Sequence, residues 1–186
     1  MPFIETGFTG LTVFEPRVFA DSRGYFFEVF NKNTFQQAGI TTEFVQDNES
    51  KSERGVLRGL HYQLNPMAQA KLVRVVEGEV LDIVVDIRKA SPTYGKSYSI
   101  LLNSTEKKQL FIPRGFAHGF AVLSETAIFQ YKCDNYYSKE SEGGIIFNDP
   151  ELKIDWMIDT SKAIISDKDK VLPTLREHTS NFVYQP

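Results

Sequence analysis

Residues 71–89, KLVRVVEGEVLDIVVDIRK, constrain the fold more than any other stretch. Two arms rich in Val, Ile and Leu flank Glu77-Gly78, and β-branched side chains favour a pleated, half-buried surface. The pattern predicts a β-hairpin with a tight turn at Glu77-Gly78. Short apolar runs of the same kind recur at SYSILL, QLFIP, HGFAVLS and AIFQYKC, and upstream at GLTVFEPRVFAD and GYFFEVF. Only NTFQQAG reads as a helix, with Asn33 as its cap and Gly39 as its stop. The tail from Asp159 is polar, and SDKDKVLP in it has room for a helical turn. Nothing shows the strand–long helix–strand rhythm of a parallel α/β fold. Strand after strand at short spacing predicts a mostly β chain with a few short helices, closed into an antiparallel barrel or double-sheet jelly roll. Such folds bind ligands between their sheets. A length of 186 residues suits a single domain over 1–186.

Charge and composition exclude several classes. The formal net charge is −3, so no general nucleic-acid-binding surface is expected. No apolar run approaches the ~20 residues of a membrane helix, and MPFIETGFTG lacks the basic start and apolar core of a signal peptide. The one cysteine, Cys133, cannot form an intrachain disulfide, which fits a reducing cytoplasm. Fifteen Phe and eight Tyr fit strands around a ligand cavity.

Chemistry is sought in polar residues on inward strand faces. In AIFQYKC, alternation places Ala127, Phe129, Tyr131 and Cys133 on one face. That face is the more apolar, so Tyr131 is expected inward, where its hydroxyl needs a partner. In KLVRVVEGEV, Lys71 shares a face with Val73 and Val75, while Arg74 lies on the other. One of these two cations must then point inward unless the strand is an edge, and an inward lysine needs an anionic partner such as a ligand. FIPRGFAHGFAVLS resembles the second signature of the cupin superfamily through Pro113, Gly115 and His118. Metal-binding cupins also carry a His-x-His pair, whereas the chain around His61 reads LHYQ and the only other histidine is His178. Separated histidines without a close carboxylate make a poor metal site. The reading is therefore a cupin-like barrel with no metal.

Six segments then fall in order over nearly the whole chain: FADSRGYFFEVFN, FVQDNESKSERGVLRGLHYQ, AKLVRVVEGEVLDIVVDIRKASPTYGK, FIPRGFAHGFAVLS, YKCDNYYSKESEGGIIFNDPELKIDW and ISDKDKVLPTL. Together they closely resemble the dTDP-4-dehydrorhamnose 3,5-epimerase family. The resemblance implies a cupin-type jelly roll, a homodimer, no cofactor, and dTDP-4-dehydro-6-deoxy-D-glucose as substrate. It also implies roles. His61 matches the base, and Asp169 matches the carboxylate paired with it, with Asp167 as the rival two residues away. Tyr131 matches the acid across the sugar ring, and Lys71 the group at the enolate oxygen. Arg23 and Arg58 match phosphate and sugar contacts; Glu28, Gln46, Asn48, His118, Glu142 and Lys168 match further substrate contacts; Tyr137 matches the aromatic beside the thymine.

These roles suit epimerisation beside a ketone, which needs a base, an acid on the opposite face and a donor at the oxygen that takes up the charge. Strict alternation sets Arg58 and His61 on opposite faces, so both serve one site only if the strand is irregular at Gly59. Three alternatives remain at this stage. One is an epimerase or isomerase acting on one carbon of a related dTDP-keto-sugar. The others are a non-catalytic sugar-nucleotide-binding cupin and a metal-dependent cupin oxygenase.

Overall fold

The computed structural model describes residues 2–185. Its strands are β1 (Phe3–Glu5), β2 (Thr12–Phe14), β3 (Phe19–Asp21), β4 (Gly24–Phe26), β5 (Gln46–Glu53), β6 (Leu57–Gln63) and β7 (Lys71–Glu77). They continue with β8 (Glu79–Asp86), β9 (Ser97–Asn103), β10 (Gln109–Ile112), β11 (Phe116–Val122), β12 (Thr126–Cys133) and β13 (Glu142–Gly144). One short helix, α1 (Lys32–Gln37), interrupts them. One sheet runs β1-β2-β10-β7-β12-β5, a second runs β13-β6-β11-β8-β9, and β3-β4 form a separate ribbon. All pairings between these strands are antiparallel. The double-sheet jelly roll expected from the strand spacing is the observed architecture. No helix among the described residues is long and apolar enough to cross a membrane.

Alternation along the strands makes three cores. Val73, Val75, Ala127 and Phe129 of the first sheet meet Val80, Val84, Phe116 and Phe120 of the second, forming the layer between the sheets. Leu81, Ile83, Val85, Ala117 and Ala121 face the other way, under Trp156, Leu175 and Phe182 of the long C-terminal segment. This double covering explains why β11 is buried at every position and β8 at all but its first, and why their sequences do not alternate polar with apolar. The outer face of the first sheet packs Leu72 and Phe111 against Phe35 of α1.

Three local expectations need correction. The arms around Gly78 are not a hairpin: β7 pairs with β10 and β12, whereas β8 pairs with β11 and β9. Gly78 carries the chain from one sheet to the other. Its φ is +80°, and a Cβ there would lie 2.0 Å from the Thr126 carbonyl oxygen, so only glycine fits the crossing. The helix cap is Asn31, not Asn33; its side chain accepts from the Asn33 and Thr34 amides. Finally, GLTVFEPRVFAD divides into β2 and β3 at Glu15–Val18, where Pro16 has no amide to give a ladder. Gly39 does follow α1, at φ +81°, and SDKDKVLP does hold a single helical turn, Asp169–Val171.

Candidate active site

A cavity of about 530 Å³ opens between the two sheets. His61 and Arg58 from β6, His118 and Phe120 from β11, Lys71 from β7, Tyr131 from β12, Ser50 from β5, and Ser166, Lys168 and Asp169 from the C-terminal segment are among its lining. Phe120 and Phe129 stack at 4.3 Å between ring centroids, packing the two sheets together beneath the polar groups.

Gly59 is the reason Arg58 and His61 reach the same cavity. The β6–β11 register breaks between the His118↔His61 pair and the Phe120↔Arg58 pair. Leu57, Leu60 and Tyr62 all turn to the outer core, so one extra residue is absorbed between Arg58 and His61. Gly59 has φ +119°, and a Cβ on it would sit 2.5 Å from the Gly119 Cα. The irregular strand anticipated at this glycine is thus present. Arg58 is further held by Ser52, whose hydroxyl accepts from its Nη2 at 3.1 Å.

His61 Nε2 lies 2.7 Å from an Asp169 carboxylate oxygen. The other Asp169 oxygen accepts from the Gly59 amide at 3.2 Å. Asp167, the rival, is exposed and pairs with Lys170 instead. Burial pushes the Asp169 carboxyl up, but His61, the Gly59 amide and Ser166 outweigh it and hold the group below its ordinary value. A carboxylate there requires Nε2–H on the neutral ring, which leaves Nδ1 as the free acceptor.

Across the cavity, Tyr131 stands on the same face of β12 as Ala127, Phe129 and Cys133, as alternation predicts. Burial raises the phenol above its ordinary value, with Cys133 adding to this and Arg58 opposing it. Lys71 is the inward cation of β7, with Nζ 5.7 Å from the Tyr131 ring centroid, whereas Arg74 on the other face donates to Gln130. Desolvation lowers the Lys71 ammonium below its usual value, partly offset by Cys133 and Asp82.

The remaining sequence candidates divide into two groups. Gln46 and Asn48 share the Ser50 face of β5 and bond to each other; the Tyr137 amide donates to Gln46. Glu142 accepts from Lys168. Of these only Lys168 is among the cavity's lining; Asn48 lines a smaller neighbouring pocket that shares Tyr131 with it. Arg23 and Glu28 line neither: Arg23 pairs with Asp21 at the tip of the β3-β4 ribbon, and Glu28 accepts from Asn31. Ser50 and Ser166, which line the cavity, and Asp82 escape the sequence reading. Asp82 lies fully buried on the Val80/Val84 face of β8, and one of its oxygens lies 2.9 Å from His118 Nε2. Its signal was a carboxylate inside the run VLDIVV. Each of the two cavity histidines is thus committed to a carboxylate, and among the described residues no group of three or more His, Cys, Asp or Glu side chains is placed to hold a metal.

The chain has known relatives. The dTDP-4-dehydrorhamnose 3,5-epimerase family model matches residues 5–177. The dTDP-4-dehydrorhamnose 3,5-epimerase of Shigella flexneri is 54% identical over 170 residues, 91% of this chain and 93% of that protein. The crystal structure of a dTDP-6-deoxy-D-glucose-3,5-epimerase from Legionella pneumophila, in complex with dTDP-4-keto-L-rhamnose, superposes with TM-score 0.94 at 45% identity, covering 99% of this chain and 98% of that one. A 3'-monoepimerase from Streptomyces bikiniensis, in complex with dTDP-quinovose, shares the fold at 33% identity and TM-score 0.86, with 91% and 86% covered.

Proposed function

The chain belongs to the dTDP-4-dehydrorhamnose 3,5-epimerase family, and we propose that the residues of the inter-sheet cavity carry its reaction as follows. The reaction is the 3,5-epimerisation of dTDP-4-dehydro-6-deoxy-D-glucose to dTDP-4-dehydro-L-rhamnose, a step of dTDP-L-rhamnose biosynthesis. The observation that carries the assignment is that His61 and Tyr131 sit on different sheets and face one cavity. A flat keto-sugar between them meets a base on one side and an acid on the other.

His61 Nδ1 takes the proton from a carbon beside the ketone, and Asp169 stabilises the imidazolium that forms. The electron pair moves onto the ketone oxygen as an enolate. Lys71 donates to that oxygen; in a site shielded from water such a donor outweighs its value in solution. Tyr131, kept protonated by burial, returns a proton to the carbon from the opposite face, which inverts it. Once His61 has released its proton to solvent and Tyr131 has regained one, the same steps at the second flanking carbon complete the reaction. Arg58 grips the nucleotide diphosphate, His118, Gln46, Asn48, Glu142 and Lys168 contact the substrate, and Tyr137 offers a ring to the base.

We also propose that the protein acts as a homodimer in the cytoplasm. The β3-β4 ribbon exposes Phe19, Tyr25 and Phe26, an apolar patch suited to burial against another copy. Arg23 at its tip is 88% exposed and away from its own chain's cavity. In a dimer it serves the partner's phosphate site, with Glu28 nearby. The direct test of activity is incubation of the purified protein with dTDP-4-dehydro-6-deoxy-D-glucose and identification of the sugar by NMR. Formation of dTDP-4-dehydro-L-rhamnose supports the assignment, and recovery of unchanged substrate contradicts it. A 3-epimer alone would favour the single-carbon reading that the Streptomyces neighbour makes relevant.

A further inference from the structure

Ser52 is the one side chain of β5 that the fold buries, at 7% exposure. Its hydroxyl oxygen accepts two hydrogen bonds from Arg58, at 3.3 Å from Nε and 3.1 Å from Nη2. β5 is the edge strand of the first sheet and β6 lies in the second, so these bonds join the two sheets. Four other arginines of the chain are fixed by carboxylates: Arg23 by Asp21, Arg88 by Asp86, Arg114 by Asp134 and Arg176 by Glu151. Arg58, which lines the cavity, is held by a neutral hydroxyl instead.

We infer that Ser52 is a positioning residue that presents Arg58 to the substrate's diphosphate, holding one edge of the guanidinium and leaving the other for phosphate oxygens. This rests on Arg58 being a diphosphate contact of the epimerase site. Nε–H and one Nη2–H lie on the same edge of the planar group, and the single Ser52 oxygen takes both. Three of the five N–H donors remain. Two of them, one on Nη1 and one on Nη2, run parallel along the end of the group, the fork that grips a phosphate through two bonds.

Charge and entropy both favour a serine at this place. A carboxylate would hold the guanidinium more strongly, but it would neutralise the charge that attracts the phosphate and would itself repel the phosphate. A hydroxyl fixes the group and leaves its charge intact. Arg58 is exposed, and an exposed arginine loses rotamer freedom when it binds a ligand. A partner that orders it beforehand removes that loss from the binding step. The break of register at Gly59, which brings Arg58 inward, thus has its counterpart on the opposite sheet: the irregular strand delivers the arginine, and Ser52 receives it.

The test is a double-mutant cycle, read by isothermal titration of the intact protein with dTDP. Ser52→Ala weakens dTDP binding about three- to tenfold when Arg58 is present. In the Arg58→Ala background the same change alters Kd by less than about 1.5-fold, because no guanidinium is left to position. An unchanged Kd in Ser52→Ala, or an equal loss with and without Arg58, overturns the inference. Wild-type affinity in Arg58→Ala is a different failure: it overturns the diphosphate role of Arg58, and the inference with it. Should Ser52→Ala not fold, the guanidinium ¹⁵N shifts of the wild type decide, with Arg58→Lys identifying the resonances. Movement of the Arg58 Nη shifts on adding dTDP, with Nε left in place, supports the inference. A displacement of Nε as large as that of Nη overturns it.

Discussion

His61 and Asp169 stand 108 residues apart in the chain and 2.7 Å apart in the fold. The contact joins a strand of the barrel wall to a single helical turn in the polar tail, so the tail is part of the site. Asp169→Asn leaves the shape but presents the ring with a group that no longer demands Nε2–H. The expected loss in kcat is about 10²- to 10⁴-fold, the range for an impaired general base, with KM little changed. Steady-state kinetics on the keto-sugar checks this; a variant within threefold of wild type would remove Asp169 from the mechanism.

Tyr131→Phe separates proton removal from inversion. His61 can still take a proton and return it to the same face, so solvent deuterium enters the substrate while epimer formation falls by about 10²-fold or more. Equal loss of exchange and inversion would contradict the division of roles between the two sheets. Because burial raises the Tyr131 phenol, its ionisation does not limit activity below about pH 10, and the pH–rate profile should show no tyrosine inflection there.

Gly59→Ala strikes the irregularity that brings Arg58 and His61 together. The new Cβ meets the Gly119 Cα at 2.5 Å and the His118 carbonyl oxygen at 2.8 Å, at a φ of +119°. Both neighbours are backbone and cannot swing aside. A loss of about 2–4 kcal/mol is expected in chemical denaturation, together with a larger fall in activity than the remaining folded fraction explains.

Arg23→Ala and His61→Ala test the shared site by complementation. Each homodimer is impaired, the first through a KM raised about tenfold or more by the lost phosphate contact. Mixed dimers hold one cavity in which both residues are intact if Arg23 reaches across. Activity after dissociation and remixing then exceeds the sum of the parents. No gain on mixing would confine Arg23 to its own chain.

Tyr62 gives a stability signature independent of catalysis. Its hydroxyl donates to the Thr179 carbonyl at 2.7 Å, tying the tail to β6. Burial, and then Tyr94, push the phenol up to about 12. The fold thus favours the neutral form. The stability this contributes is complete below the unfolded value of about 10 and is lost as pH rises through the folded one. Tyr62→Phe should cost about 1 kcal/mol at pH 8 for the missing hydrogen bond and should flatten the fall in stability between about pH 10 and 12.

Much of this was legible in the sequence, because period-2 alternation fixes what one strand face carries. It placed Tyr131 inward with Phe129 and Cys133, and it required one inward cation from Lys71 and Arg74. Alternation is blind to which sheet a strand joins. The β7 and β8 arms look like a hairpin, yet Gly78 passes them into different sheets, a choice made by the long-range partners β10, β12, β11 and β9. Asp82 was overlooked because a buried carboxylate is recognisable only by its partner, and His118 lies 36 residues away. Asn31 and Asn33 are the same residue type two positions apart, so the sequence offers no sign that the cap is Asn31; the backbone of the first turn decides it. Arg23 enters the site only through the family resemblance; its own spacing in DSRG suits a solvated turn residue, which is how it stands in this chain, paired with Asp21.

The measurement that bears most directly on the central claim is deuterium incorporation in D₂O, followed by NMR at the two carbons beside the ketone. With the wild-type protein, deuterium is predicted at both carbon 3 and carbon 5 of the product, and with His61→Ala at neither. Deuterium at carbon 3 alone, or exchange that persists without His61, would contradict the account.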